Sequence, residues 1–129
     1  MPRKPGCTLL TELLHVSVLV SDLSAARAFY EGVLGLLPST KRPALRFDGV
    51  WYEIGMQQLH LIALPNPDRD AIRPAHGGDD RHTAFRVTDM DALRQALSQA
   101  HIPHTLSQSG RKALFCRDPE GNALEFIEA

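Results

Sequence analysis

The sequence predicts an α+β fold made of two βαβββ modules, and three observations lead there. The chain repeats itself: His15-Val-Ser-Val-Leu-Val-Ser-Asp22-Leu23 returns as His82-Thr-Ala-Phe-Arg-Val-Thr-Asp89-Met90, with the His seven residues before the Asp in both copies. Within each copy the stretch up to Asp is β-branched and strand-like, whereas the residues after it switch to helical spacing. Each helical stretch is followed by three short strand-like runs set apart by turn residues.

Residues 1–12 read as a tail and residues 13–64 as the first module. After its opening strand, Asp22 is placed to cap a helix by accepting from the free N–H groups of the first turn. Ala26, Phe29, Tyr30, Val33 and Leu34 recur at helical spacing, and Gly35 stops the helix. Strands are expected at 44–47, 51–54 and 58–64, with Asp48-Gly49 as a turn. Residues 65–80 are rich in Pro, Asp, Arg and Gly and lack periodicity, so they read as a flexible surface connector.

The second module, 81–129, repeats the plan. Asp89 caps a helix whose apolar residues are Met90, Leu93, Ala96, Leu97 and Ala100, ending before Pro103. Strands follow at 104–107, 112–117 and 123–127, with Glu120-Gly121-Asn122 as a turn. Halves of roughly fifty residues are too small to hold a core alone, so the two should fold as one body or pair across a dimer.

Composition narrows the function classes. At 129 residues, 43% hydrophobic and 22% charged, the chain suits one compact globular unit. Fourteen basic against fifteen acidic residues leave a net charge of -1, with no basic stripe for nucleic acid. The apolar segment 9–20 is interrupted by Glu12 and His15 and is too short to cross a bilayer, which points to a cytoplasmic protein with no membrane partner. Cys7 and Cys116 lie far apart and form neither a metal-type pair nor a disulfide framework, so both read as reduced thiols.

Strand alternation then assigns faces. Val16, Val18 and Val20 turn toward the helix, leaving His15, Ser17 and Leu19 on the other face. Leu59, Leu61 and Ala63 likewise turn inward, so Gln58, His60 and Ile62 share the face of His15. In the second half Thr83, Phe85 and Val87 pack inward while His82, Ala84 and Arg86 do not; Leu124 and Phe126 pack inward while Glu125 and Ile127 do not. His15 with His60, and His82 with Glu125, therefore occupy matched positions of the repeat.

Any one of these histidines alone reads as an ordinary sheet-face residue. Four ligand-type groups at equivalent, same-face positions read as a divalent metal site for Zn²⁺, Ni²⁺, Mn²⁺ or Fe²⁺, with open positions for substrate if the ion is six-coordinate. His76, His101 and His104 have no repeat partner and read as solvent residues.

At these positions the chain resembles a known family. His15-Val-Ser-Val-Leu-Val-Ser-Asp-Leu, Phe29-Tyr30-Glu-Gly-Val-Leu-Gly35 and Arg117-Asp118-Pro119-Glu120-Gly121-Asn122-Ala-Leu-Glu125-Phe are similar to the vicinal oxygen chelate superfamily of glyoxalase I, fosfomycin-resistance transferases, bleomycin-resistance proteins and extradiol dioxygenases. The resemblance implies paired modules forming a cupped mixed sheet around a divalent metal, with His15, His82 and Glu125 as ligands. It also implies a homodimer in which the first module of one chain meets the second of the other, the connector being loose enough to allow it. His60 stands where glyoxalase I carries Glu, and Leu19 where it carries an Arg for the glutathione carboxylate, which argues against methylglyoxal–glutathione as substrate.

The resulting expectation is a metal-dependent lyase or isomerase acting on a small molecule that chelates through neighbouring oxygens. Glu125 is the candidate base, and Ser17, Gln58, Arg86, Trp51 and Tyr52 are candidate pocket residues. The alternatives are a ring-cleaving dioxygenase and a metal-free module that sequesters a planar or cationic small molecule.

Overall fold

The computed structural model of the chain describes residues 4–6 and 8–129; Cys7 lies outside them. The first half runs β1 (His15–Leu19), helix α1 (Leu23–Arg27) continued by a π-helical turn (Ala28–Val33), β2 (Gly49–Ile54) and β3 (Gln57–Ile62). The second runs β4 (His82–Val87), α2 (Met90–Gln99), β5 (His104–Leu106), β6 (Ala113–Arg117) and β7 (Ala123–Glu128). Its sheet order is β4-β7-β6-β5, and the first half repeats this as β1-β3-β2 without the outermost strand. In each sheet the opening strand lies parallel to the closing one.

Both caps form as the sequence predicts: Asp22 accepts from the Ala25 amide and Asp89 from that of Ala92, each at 3.0 Å. Gly35 follows the first helix at φ +77°, a conformation open to glycine. Phe29 and Tyr30, both on the apolar face the sequence spacing predicts, are buried in the π-helical turn. At the end of α2 the left-handed position is taken by His101 at φ 58°. His101 is thus the stop of the helix, two residues ahead of the expected Pro103.

Three expectations about the connections fail. Residues 44–47 form no strand; Tyr52 of β2 is bridged instead by Pro38. Pro43 brings no N–H to a ladder, and the Arg42 guanidinium closes the loop by donating to the Phe47 carbonyl at 2.7 Å. Asp48-Gly49 is not the hairpin turn either: Gly49 opens β2, where a Cβ would run into the Leu61 carbonyl oxygen. The reversal falls at Gly55-Met56, with Gly55 at φ +59°.

The connector is pinned rather than loose. Asp80 accepts from Arg73 and Arg117, both at 2.8 Å. Arg117 also donates to the Pro74 carbonyl at 2.6 Å. A short 3-10 helix, Gly77–Asp79, lies on the second sheet, where a Cβ on Gly77 would meet Phe115 and Ala123.

One core serves both halves. Val20, Tyr30, Tyr52, Leu59 and Leu61 join Leu97, Leu114, Leu124 and Phe126 in a single buried cluster. Polar links reinforce the junction: the Tyr30 hydroxyl donates to Asp118 at 2.7 Å and the Ser21 amide to Glu120 at 3.0 Å. In this structure the second module packs on the first module of the same chain. Among the described residues no helix is long and apolar enough to cross a membrane.

Candidate functional site

The faces predicted from alternation are those observed. Val16 and Val18 pack against the core, as do Phe85 and Val87. The register repeats: Ser17 is opposite His60 as Ala84 is opposite Glu125, and His15 is opposite Gln58 as His82 is opposite Ala123. His60 and Glu125 are both buried away from the core cluster, at 7% and 3% exposure. Two strands of one register thus bring one pair of donors together on each sheet.

On the second sheet, His82 Nε2 lies 3.3 Å from Glu125 Oε1. The Asp80 carbonyl oxygen is 2.8 Å from His82 Nδ1, and because a carbonyl only accepts, that nitrogen carries the proton. Nε2 is the nitrogen that faces the carboxylate, and a metal-ligating His is held by its other ring nitrogen in this way. Arg111 donates to the other carboxylate oxygen at 3.0 Å. Phe115 stands beside the pair, its ring edge-on to His82 with centroids 5.2 Å apart and to His76 at 4.8 Å. His76, expected in solvent, is therefore packed on this sheet and bonded to Thr105.

On the first sheet, three rings stack. Trp51 lies on His60 at 3.9 Å with 1° between planes, and His60 lies on His15 at 4.1 Å with 14°. Burial, followed by His15 and Arg42, pushes His60 below the usual imidazole range, which keeps its ring neutral. His60 Nε2 is 2.8 Å from Gln58 Oε1, and Gln58 in turn donates to Glu53 at 2.8 Å. These rings form the floor of an open basin of about 640 Å³, rimmed by Leu14, Leu45, Phe47 and Met56 with Lys41 and Glu53.

Of the predicted pocket residues, Ser17, Gln58 and Trp51 line this basin. Tyr52 does not. As the neighbour of Trp51 in a strand it faces the opposite way, fully buried, and donates to Glu31 at 2.8 Å. Arg86 is exposed on β4 and is absent from the basin. Arg111 and Glu53 were not foreseen; each reaches a donor from a different strand or turn, so only register reveals it.

The donor chemistry fits a divalent ion, as two half-sites rather than one whole. Imidazole and carboxylate suit Zn²⁺, Ni²⁺, Mn²⁺ or Fe²⁺. Yet among the described residues no three His, Cys, Asp or Glu side chains gather closely enough to hold a metal. Within one chain His15 and His60 stay apart from His82 and Glu125.

Comparison with known proteins agrees with this architecture. The profile of the Glyoxalase/Bleomycin resistance protein/Dioxygenase superfamily matches residues 12–126. The Arabidopsis thaliana protein named Glyoxylase I 4 is 31% identical over 124 residues, spanning 90% of this chain and 70% of that protein. The lactoylglutathione lyase of Haemophilus influenzae is 29% identical over 126 residues, spanning 91% and 92%. The crystal structure of a lactoylglutathione lyase from Agrobacterium tumefaciens superposes with a TM-score of 0.65 at 28% identity, over 93% of this chain and 95% of that one.

Proposed function

The chain belongs to the Glyoxalase/Bleomycin resistance protein/Dioxygenase superfamily, and from that premise we propose that it is a divalent-metal-dependent, glyoxalase-like lyase or isomerase. Its substrate is a small molecule that presents two neighbouring oxygens. His15 and His60 of one copy and His82 and Glu125 of a second hold the ion, so the working unit is a homodimer. The observation that carries this reading is the identical register of the two donor pairs, with His82 Nε2 and Glu125 Oε1 3.3 Å apart.

A metal held there supplies Lewis acidity to the chelating oxygens, easing charge build-up as the neighbouring C–H bond breaks. Glu125 is the group that takes up that proton and returns it. Arg111 holds its second oxygen, leaving Oε1 for the chemistry. Ser17 and Gln58 offer hydrogen bonds to the substrate in the basin, while Trp51, Leu45 and Phe47 cover its apolar part and exclude water. Similarity to lactoylglutathione lyases supports the lyase class. Leu19 in place of a carboxylate-binding Arg favours a substrate other than a glutathione adduct.

A second reading rests on the basin itself, which is open, largely apolar and floored by stacked rings: a module that sequesters a planar small molecule without a metal. Purification without affinity-tag metals, followed by calorimetric titration with Ni²⁺, Zn²⁺, Mn²⁺ and Fe²⁺, separates the two. Saturable binding that depends on His15 and His82 supports the enzyme. A chain that takes up none of the four ions, and whose small-molecule affinity ignores chelators, is the sequestering module.

A further inference from the structure

His60 and the residues beside it carry an inference about where a proton sits. Glu53 and Gln58 face one another across the β2–β3 hairpin, as do Trp51 and His60 two residues along, so all four share one sheet face. The Glu53 carboxylate can only accept, and the Gln58 amide nitrogen 2.8 Å from it can only donate. That fixes the direction of the amide. Gln58 Oε1 is then the atom 2.8 Å from His60 Nε2, and a carbonyl oxygen also only accepts.

We propose that Glu53 and Gln58 are positioning residues that hold His60 as the Nε2–H tautomer, leaving Nδ1 as the nitrogen with a free lone pair. The other tautomer would set two lone pairs against each other. Turning the amide around to relieve that clash would press Gln58 Oε1 against the Glu53 carboxylate. Either choice loses a hydrogen bond, the His60–Gln58 one part-buried and the Gln58–Glu53 one exposed, which favours the locked tautomer by up to about tenfold. The stacked rings of His15 and Trp51 cover both faces of the imidazole, so the ring cannot turn over without breaking the stack.

The repeat makes the contrast plain. In the second half the Asp80 carbonyl fixes the proton of His82 on Nδ1, so His82 offers Nε2 and His60 offers Nδ1. The statement about the proton stands on the hydrogen bonds alone; that a metal takes Nδ1 rests on the proposed function.

The test is long-range ¹H–¹⁵N correlation on the full chain with labelled histidine, His60 being assigned by the signals lost in His60→Gln. The parent should show a protonated Nε2 and a pyridine-type Nδ1. Glu53→Gln, which can face Gln58 either way, and Gln58→Leu should each move the tautomer ratio at least about fivefold toward equality. The double variant Glu53→Gln/Gln58→Glu, whose carboxylate at position 58 accepts both from the amide placed at position 53 and from Nε2, should keep the parent pattern, which a merely structural role for Gln58 would not predict. Unchanged backbone amide spectra elsewhere establish that the variants fold. A protonated Nδ1 in the parent, or a ratio indifferent to both Glu53→Gln and Gln58→Leu, overturns the relay. Zn²⁺ added to the same sample should shift Nδ1, and a shift confined to Nε2 overturns the assignment of the ligating nitrogen. A sample that binds no Zn²⁺ or other ion refutes the proposed function, while the tautomer ratio still decides the relay.

Discussion

Tyr30→Phe removes one oxygen from the junction of the two halves and tests whether they fold as one body. The Tyr30 hydroxyl is fully buried and donates to Asp118 Oδ2 at 2.7 Å across a separation of 88 residues. Burial and the neighbouring Asp118 push the phenol well above its usual range, so it stays a neutral donor. Without it Asp118 keeps Asn122 Nδ2 on Oδ2, and the amides of Glu120 and Asn122 on Oδ1, all at 2.9 Å. A buried hydrogen bond to a charged group contributes about 1.5–3 kcal/mol, and the surviving partners place the loss near the lower end, about 2 kcal/mol. For a chain of this size that lowers Tm by roughly 6–10 °C. Urea denaturation followed by circular dichroism should show one transition with a lower midpoint and an unchanged slope. Two separated transitions, or a loss below about 0.5 kcal/mol, would refute the shared core.

His60→Ala should weaken metal binding at least about tenfold by calorimetry, and His60→Glu should retain metal better than Ala because a carboxylate is still a ligand; equal affinity in all three chains removes His60 from the site. Glu31 accepts from Arg27 and Tyr52, chiefly the former, and its carboxyl is held below the usual range. Its contribution is therefore present above the unfolded carboxyl's range and lost as pH falls through the lowered folded value. The stability gap between the parent and Glu31→Gln should close on acidification, and a gap that widens contradicts the pairing. Burial pushes the Cys116 thiol up to about 12, so alkylation at pH 8, mapped by mass spectrometry, should spare Cys116 until denaturant is added.

Much of this was legible in the sequence because a repeat compounds weak signals. Alternation alone put His15, His60, His82 and Glu125 on the faces they occupy, and the Asp22 and Asp89 caps followed from one residue each. Strand period also decides against Tyr52: Trp51 faces the basin, so its neighbour must face the core. The connector was misread because its order comes from Arg73, Arg117 and Asp80, which meet only once β6 is in place. The same holds for Arg111 on Glu125 and Glu53 on Gln58, pairs that chain spacing does not announce. Gly49 looked like a turn residue by composition, but its requirement is the close approach of the Leu61 carbonyl.

The central claim is a metal site divided between two chains, and subunit mixing tests it most directly. His15→Ala and His82→Ala chains are each freed of metal, then unfolded and refolded together, and bound metal per chain is measured. If the donor pairs meet across a dimer, each heterodimer gathers both lesions in one site and leaves the other intact, so about one site in four should bind in an equal mixture. If all four donors converge within one chain, every site carries a lesion. Mixing then restores nothing, and that result would contradict the account.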